Sequence, residues 1–233
     1  MQQNKINILC TRELEDSLIK EANQVGIAID MRSFIETEAI RNIETQQEIE
    51  NTFLQSATVV FTSMNAVETV ADELLNEKPG WKIYCIGNTT KTLAKKYFGD
   101  QAVVGTASNA AELAELIVEE SEADAVTFFC GDKRRNELPD ILRNNNIDVY
   151  ELVVYQTVAL HQKIEKHYNG ILFFSPSAVE SFFRNNKLSD DTLLFAIGNT
   201  TANEIKIYST NKIIISDEPG KENLFRKMIE YYT

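Results

Sequence analysis

The sequence has few of the residues that build metal and redox sites. Its three cysteines, Cys10, Cys85 and Cys130, are far apart and form no CxxC pair. An odd, dispersed set of cysteines is typical of a reducing cytoplasm and provides no structural zinc site. His161 and His167 are the only histidines, and both stand in a polar stretch where we expect exposed side chains without a function. We therefore predict that no metal is bound.

Long apolar runs and common nucleotide-binding motifs are also absent. No run of about 18 apolar residues could span a membrane, and the first residues, MQQNKINILCTRELE, have too short an apolar segment for a secretory signal. We therefore expect a cytoplasmic protein. GxGxxG, the GxxxxGK motif and GxSxG do not occur, so no dinucleotide site, nucleoside triphosphate site or serine nucleophile is indicated.

Basic residues are outnumbered, with 23 Lys and Arg against 35 Asp and Glu, a net charge of −12. This balance disfavours nucleic acid as a partner, because phosphate contacts need clustered basic side chains. A small anionic ligand stays possible, since a few arginines and the N-termini of helices can bind an anion locally.

What the sequence does have is a regular alternation of apolar strand-like runs with helix-like patterns. Strands joined by helices of ten to fifteen residues predict an α/β fold with parallel sheets. The predicted strands are Ile6–Cys10, Ile27–Met31, Thr58–Thr62, Lys82–Ile86, Ala102–Val104, Ala125–Cys130, Val149–Gln156, Ile171–Phe174, Leu193–Ile197 and Lys212–Ile215.

An internal repeat indicates how these strands are divided. IGNTT occurs at 86–90 and again at 197–201, and FTSMNAVE at 61–68 matches FFSPSAVE at 173–180. Two copies of one pattern predict two domains of one fold. We predict a discontinuous domain made of 1–34 plus 159–233, and a second domain, 35–158, inserted into it.

In each copy a strand ends in a short turn that carries hydroxyl groups, and a helix follows. In IGNTT the glycine permits a tight turn, and Asn or Thr is expected to cap the helix. In proteins with open parallel sheets, ligands bind beyond the carboxyl ends of the strands, where the N-termini of helices favour an anion. A cleft between two such domains would be a binding site, although duplication and ordinary capping also explain the recurrence.

These motifs together resemble the uroporphyrinogen-III synthase family. The resemblance rests on the two repeated segments, on CGDKRRNELPDIL at 130–142 and on VYQT at 154–157, in this order and spacing. It implies two similar flavodoxin-like α/β domains, each a parallel sheet flanked by helices, joined by a two-stranded connection.

The resemblance also implies an activity. The family closes hydroxymethylbilane, a linear tetrapyrrole with eight carboxylates, into uroporphyrinogen III, inverting ring D and losing water. It is a cofactor-independent lyase, and a monomer is implied. The main task is to hold a flexible chain in a productive geometry, with help from a weak proton donor.

The same resemblance implies the roles of individual residues. Tyr155 of VYQT matches the tyrosine thought to donate the proton, although it could also be a packed residue of the connecting strand. Arg12 and Arg135 would pair with carboxylates, or else form surface ion pairs. The hydroxyl residues that would bind substrate carboxylates are Thr62, Ser63, Thr89, Thr90, Ser175, Ser177, Thr200 and Thr201.

Two other functions remain open from the sequence. A noncatalytic two-domain module could bind an anionic small molecule with the same groups, and a nucleotide-sugar transferase could have the same outline. A protein that only binds its ligand has no need of a proton donor at Tyr155, which argues against the first alternative. No motif indicates a nucleotide-sugar site, which argues against the second.

Overall fold

The computed structural model describes residues 6–75, 77–218 and 220–233. Contacts between Cα atoms divide the chain into a discontinuous unit, Met1–Glu36 with Val158–Thr233, and an inserted unit, Thr37–Thr157. These bounds lie within two residues of the predicted domain boundaries. That each unit is a domain that folds by itself stays a prediction.

The discontinuous unit is a five-stranded sheet with helices on both faces. Its strands are β1 (Ile6–Cys10), β2 (Ile27–Met31), β9 (Gly170–Phe173), β10 (Leu193–Ala196) and β11 (Ile213–Ile215). Its helices are α1 (Asp16–Gln24), α7 (Pro176–Asn185), α8 (Asn199–Tyr208) and α9 (Lys221–Tyr232). The strand order is β11-β10-β9-β1-β2, and the neighbours are paired parallel.

The inserted unit contains a six-stranded sheet in the order β3-β8-β7-β4-β5-β6. Its strands are β3 (Ile35–Ala39), β4 (Thr58–Phe61), β5 (Lys82–Ile86), β6 (Val103–Ala107), β7 (Ala125–Gly131) and β8 (Asp148–Ala159). Its helices are α2 (Ile43–Phe53), α3 (Met64–Glu73), α4 (Asn88–Phe98), α5 (Ala110–Glu120) and α6 (Glu137–Asn144). The pairs from β8 to β6 are parallel, so the predicted α/β class is confirmed.

All ten predicted strands are present, and within the described part of the chain one further strand, β3, was not predicted. β3 has the sequence IETEA, in which only the two end residues are apolar, and its three middle residues are exposed. It lies at the edge of the sheet beside β8, with the Ile40 amide donating to the Val154 carbonyl at 2.8 Å. Both crossings between the units fall in β3 and β8.

Each sheet separates two apolar clusters. In the inserted unit, α3 and α4 pack on one face around Phe61 and Phe129, whose rings stack at 5.2 Å between centroids. On the other face α5 and α6 pack around Phe128. The discontinuous unit is built likewise, with α1 and α9 on one face and α7 and α8 on the other. Among the described residues, no helix combines the length and the apolar character needed to cross a membrane.

The only tryptophan offers a test of the two-domain prediction. Trp81 is buried in the inserted unit, where its Nε1 donates to the Thr52 carbonyl at 2.9 Å. We expect Leu194→Ala, in the core of the discontinuous unit, to destabilise that unit by roughly 2–5 kcal/mol. The midpoint of Trp81 fluorescence in urea should stay unchanged, while the midpoint followed by circular dichroism falls.

Ile83→Ala is the matched control, because Ile83 is fully buried beside Trp81. It should lower the fluorescence midpoint directly. If Leu194→Ala and Ile83→Ala shift that midpoint equally, the chain unfolds as one cooperative domain and the two-domain prediction is wrong.

Candidate functional site

In the sheet of the inserted unit, the direction in which successive strands are added reverses between β4 and β7. From β4 the chain continues outward through β5 and β6, whereas β7 and β8 lie on the other side. At such a switch point a crevice opens beyond the carboxyl ends of the strands. Thr62 and Ser63 follow β4, and Arg135 lies in the loop after β7. The topology therefore places three of the predicted site residues around one crevice.

A hollow of about 320 Å³ lies at this edge of the inserted unit. Its lining includes Thr62, Arg135, Ser108, Asn109 and Glu137. The last three were not predicted as site residues. Asn109 could have been found from the pattern N-x-x-E, which is typical of a helix start.

Asn109 and Glu112 cap helix α5 reciprocally. The Asn109 side-chain oxygen accepts from the Glu112 amide at 3.0 Å, and Glu112 Oε2 accepts from the Ser108 amide at 3.2 Å. This arrangement fixes the β6–α5 turn and presents polar groups to the hollow.

Two neighbouring arginines have different surroundings. Arg134 forms an ion pair with Glu151, which also accepts from Arg143 Nη2 at 2.8 Å. The Glu151 side chain is only 15% exposed, so its charge needs these partners. Arg135 is exposed and forms no ion pair with any described residue. Its guanidinium is therefore available to a ligand carboxylate.

Tyr155 is turned by an irregularity in the pairing of β7 with β8. The register shifts between Cys130 and Gly131, so that Cys130 lies opposite Val153 but Gly131 lies opposite Tyr155. Val154 is the extra residue of a β-bulge, a device that re-aims side chains. The Tyr155 hydroxyl lies near the side chain of Ser63, which acts to lower its pKa.

The environment of Tyr155 keeps its phenol protonated. Burial raises its pKa above the ordinary tyrosine value, and the nearby Ser63 side chain opposes part of this rise. The negative charge of Asp132 adds to the rise. Ser63 is also the N-cap of α3, where its Oγ accepts from the Asn65 amide at 3.2 Å. A neutral phenol beside a hydroxyl and a helix N-terminus is a suitable weak acid.

The discontinuous unit has its own switch point, between β1 and β9. Thr11 is buried and its hydroxyl donates to the Leu172 carbonyl at 2.8 Å, which holds the turn that exposes Arg12. Ser175 follows β9 and caps α7, its Oγ accepting from the Ala178 amide at 3.2 Å. Ser177 lies in the first turn of α7 and is partly exposed.

The two IGNTT turns place a glycine, not Asn or Thr, at the helix cap. Gly87 is the N-cap of α4, with φ of 70°, and Gly198 is the N-cap of α8. The expected cap by Asn or Thr is therefore wrong, because the helix already begins at the Asn. No side chain at the cap accepts from the first turn, so its amide groups can donate to an anion.

The threonines of these turns fall into two classes. Thr89 and Thr200 are exposed. Thr90 and Thr201 are only 7% and 2% exposed, so their side chains contribute to helix packing. The exposed pair is the better placed to contact a ligand.

The cysteines and histidines are placed as expected. All three cysteines are free and buried, and burial raises the pKa of the Cys10 thiol to about 12 and of the Cys85 and Cys130 thiols to about 11. Thiols held neutral in this way are poor nucleophiles. Both histidines are exposed. Among the described residues, no three His, Cys, Asp or Glu side chains are grouped closely enough to hold a metal ion.

A larger hollow, of about 510 Å³, lies in the discontinuous unit at the C-terminal ends of α7 and α8. Because these helices run against the parallel strands, this hollow lies at the opposite edge of the sheet from Arg12 and Ser175. None of the predicted site residues lines it, so its size does not make it the better candidate.

Comparison with known proteins extends these observations. The family model described as Uroporphyrinogen-III synthase HemD matches residues 16–226. The crystal structure of uroporphyrinogen-III synthetase from Helicobacter pylori 26695 is similar, with a TM-score of 0.69, 19% identity, and coverage of 97% of this chain and 99% of that one. A mutant uroporphyrinogen III synthase from the extreme thermophile Thermus thermophilus has a TM-score of 0.64 and 12% identity, with 97% of both chains covered. The likeness to these structures shows the fold, and the match of the family model over most of the sequence shows that the chain belongs to the uroporphyrinogen-III synthase family.

Proposed function

We propose that this chain closes hydroxymethylbilane to uroporphyrinogen III, with inversion of ring D and release of water. In this proposal it is a hydro-lyase that needs no metal or organic cofactor and works as a monomer in the cytoplasm. Family membership supports the general activity. The observation that carries the chemistry is the phenol of Tyr155, held neutral beside Ser63 at the carboxyl edge of the sheet.

The reaction needs little acid–base strength from the protein. When the hydroxyl of the bilane leaves, it takes a proton, and the remaining electron-rich cation is attacked by the substituted carbon of ring D. The resulting spiro intermediate fragments and closes again with ring D inverted, and the carbon that closes the ring then releases a proton. The proton lost and the proton taken up balance, so water is the only by-product. A phenol such as Tyr155 is an adequate donor for the first step.

The greater requirement is to orient a flexible substrate that has eight carboxylates. Arg135, Thr62 and Ser63 would bind carboxylates at the edge of the inserted unit, and Arg12, Ser175 and Ser177 at that of the discontinuous unit. The amide groups at the starts of α4 and α8 would bind further carboxylates, together with the exposed Thr89 and Thr200, while the buried Thr90 and Thr201 would pack the helices. Binding in a cleft between two domains stays a prediction from the sequence.

Product analysis tests the activity directly. Hydroxymethylbilane would be generated in situ by its upstream deaminase, the protein added, and the products oxidised and separated by chromatography. We expect the type III isomer to dominate, also after dialysis against a chelator. The control without the protein should give the type I isomer, which forms without inversion. Type I alone in both reactions would contradict the proposal and favour a noncatalytic binding module.

Replacement of the proton donor should slow turnover. We expect Tyr155→Phe to lower kcat by about 10²-fold or more, the usual range for loss of a general acid, with KM little changed. Circular dichroism should show the wild-type fold, since only a hydroxyl is lost. Unchanged kcat in the folded variant would remove Tyr155 from the mechanism.

The pH dependence of the same pair of proteins is a further check. A donor works only when protonated, and a raised pKa keeps Tyr155 protonated to higher pH. The wild-type kcat should therefore be level from pH 7 to about 9 and fall only above the ordinary tyrosine value of about 10. The Tyr155→Phe variant should lack this alkaline decline.

The neighbouring arginines provide a matched pair for substrate binding. Because Arg135 has no ion-pair partner among the described residues and Arg134 is paired with Glu151, the same substitution should act differently at the two positions. Arg135→Gln should raise KM by about tenfold, corresponding to one lost charge-assisted hydrogen bond, with stability unchanged. Arg134→Gln should lower the urea midpoint and leave KM close to that of the wild type. The reverse pattern would show that Arg134 binds the substrate.

A further inference from the structure

The ring of Tyr155 lies directly on Gly131. A Cβ atom added at Gly131 would be 2.4 Å from Cζ, 2.5 Å from Cε2 and 2.7 Å from the hydroxyl oxygen of Tyr155. Cβ atoms in proteins essentially never come this close to another atom, so the ring would have to shift. The hydroxyl end of the ring therefore occupies space that the side chain of any other residue would take.

The bulge in β8 explains how the ring reaches this position. Leu152 and Val154 face the apolar cluster under α3, whereas Val153 faces the opposite cluster. Regular alternation would turn Tyr155 to the same side as Val153. Because Val154 is the extra residue, Tyr155 instead packs against the cluster under α3, near Ser63 at the start of that helix.

We infer that Gly131 is a positioning residue for the reaction: its missing side chain lets the hydroxyl of Tyr155 lie against β7, within reach of Ser63. The inference rests on the proposed function, in which that hydroxyl donates a proton. Any larger residue at 131 displaces the hydroxyl from the position that it has beside Gly131.

The same sheet contains a second pair of this kind, which separates packing from positioning. Gly105 lies opposite Tyr84, and a Cβ atom at Gly105 would be 2.4 Å from Cδ1 and 2.5 Å from Cε1 of that ring. Tyr84 is almost fully buried in the cluster under α5. Both glycines thus leave room for a tyrosine ring, but of these two positions it is at Gly131 that an added Cβ would meet the hydroxyl end of the ring.

The experiment compares Gly131→Ala with Gly105→Ala. Both variants should lose stability, since both tyrosine rings must shift. Gly131→Ala should also lower kcat by about tenfold or more, with KM little changed, because a displacement of about 1 Å at a reacting group has large effects. Gly105→Ala should keep kcat within about twofold of the wild type per folded molecule. Equal kcat values for the two variants would overturn the inference.

A double-mutant cycle identifies the route of the effect. If Gly131 acts through the hydroxyl of Tyr155, Gly131→Ala should add almost nothing in the Tyr155→Phe background. A further tenfold loss in that background would mean that Gly131 acts on something else, and the inference would be wrong.

An NMR measurement that does not depend on catalytic turnover tests this inference separately from the proposed function. In protein labelled with ¹³C at tyrosine Cζ, the Tyr155 signal is the one that Tyr155→Phe removes. Gly131→Ala should move this signal and change its titration, and Gly105→Ala should leave it in place. If the signal moves but the wild type makes no type III product, the positioning stands and the proposed function fails. If the signal does not move, the positioning fails whatever the activity.

Ser63 provides the test should Gly131→Ala not fold. Ser63→Ala removes the hydroxyl that neighbours the phenol of Tyr155, and it should move the same signal and lower kcat. Ser63→Thr keeps the hydroxyl and the helix cap and should restore both. Failure of Ser63→Ala to move the signal would contradict the position assigned to the Tyr155 hydroxyl.

Discussion

The parallel pairing of the strands is the constraint on which the rest of the structure depends. A strand that runs parallel to its predecessor requires the chain to return across a face of the sheet, here through a helix. Every helix on such a return starts near the carboxyl edge, so hydroxyl residues, free amides and Arg12 or Arg135 gather there. Both faces are meanwhile filled by apolar clusters. The candidate binding groups of each unit therefore lie along one rim of its sheet.

Among the candidate binding groups, neutral hydrogen-bond donors outnumber charged side chains. The chain carries a net charge of −12, yet its candidate binding groups are mostly neutral donors: hydroxyls, helix amides and one phenol. The neighbouring Arg134 and Arg135 differ in their contacts. Arg134 forms an ion pair with the poorly exposed Glu151, whereas Arg135 is exposed. An anionic ligand can thus bind a strongly acidic protein when the few cations at the rim are not already neutralised.

Much of the fold could be predicted from the sequence, but the finest features of the site could not. Apolar runs located ten strands, because buried parallel strands are continuously apolar, while the exposed, polar β3 gave no such signal. The repeat indicated the division of the chain. The bulge at Val154 was hidden, since Val153, Val154 and Tyr155 read as an ordinary strand and only tertiary pairing sets the register. Likewise, sequence cannot tell that Thr89 is exposed and Thr90 buried.

The strand order has a consequence for the origin of the chain. Matching β7 with β1, β8 with β2, and β4 to β6 with β9 to β11 makes the sheet orders of the two units identical, apart from the added edge strand β3. In chain order these strands then read as one five-strand pattern followed by a second copy of it. Each unit takes strands from both copies, an exchange within one chain comparable to domain swapping between chains. A single tandem duplication of a five-strand ancestor thus accounts for the discontinuous unit, with no separate insertion event.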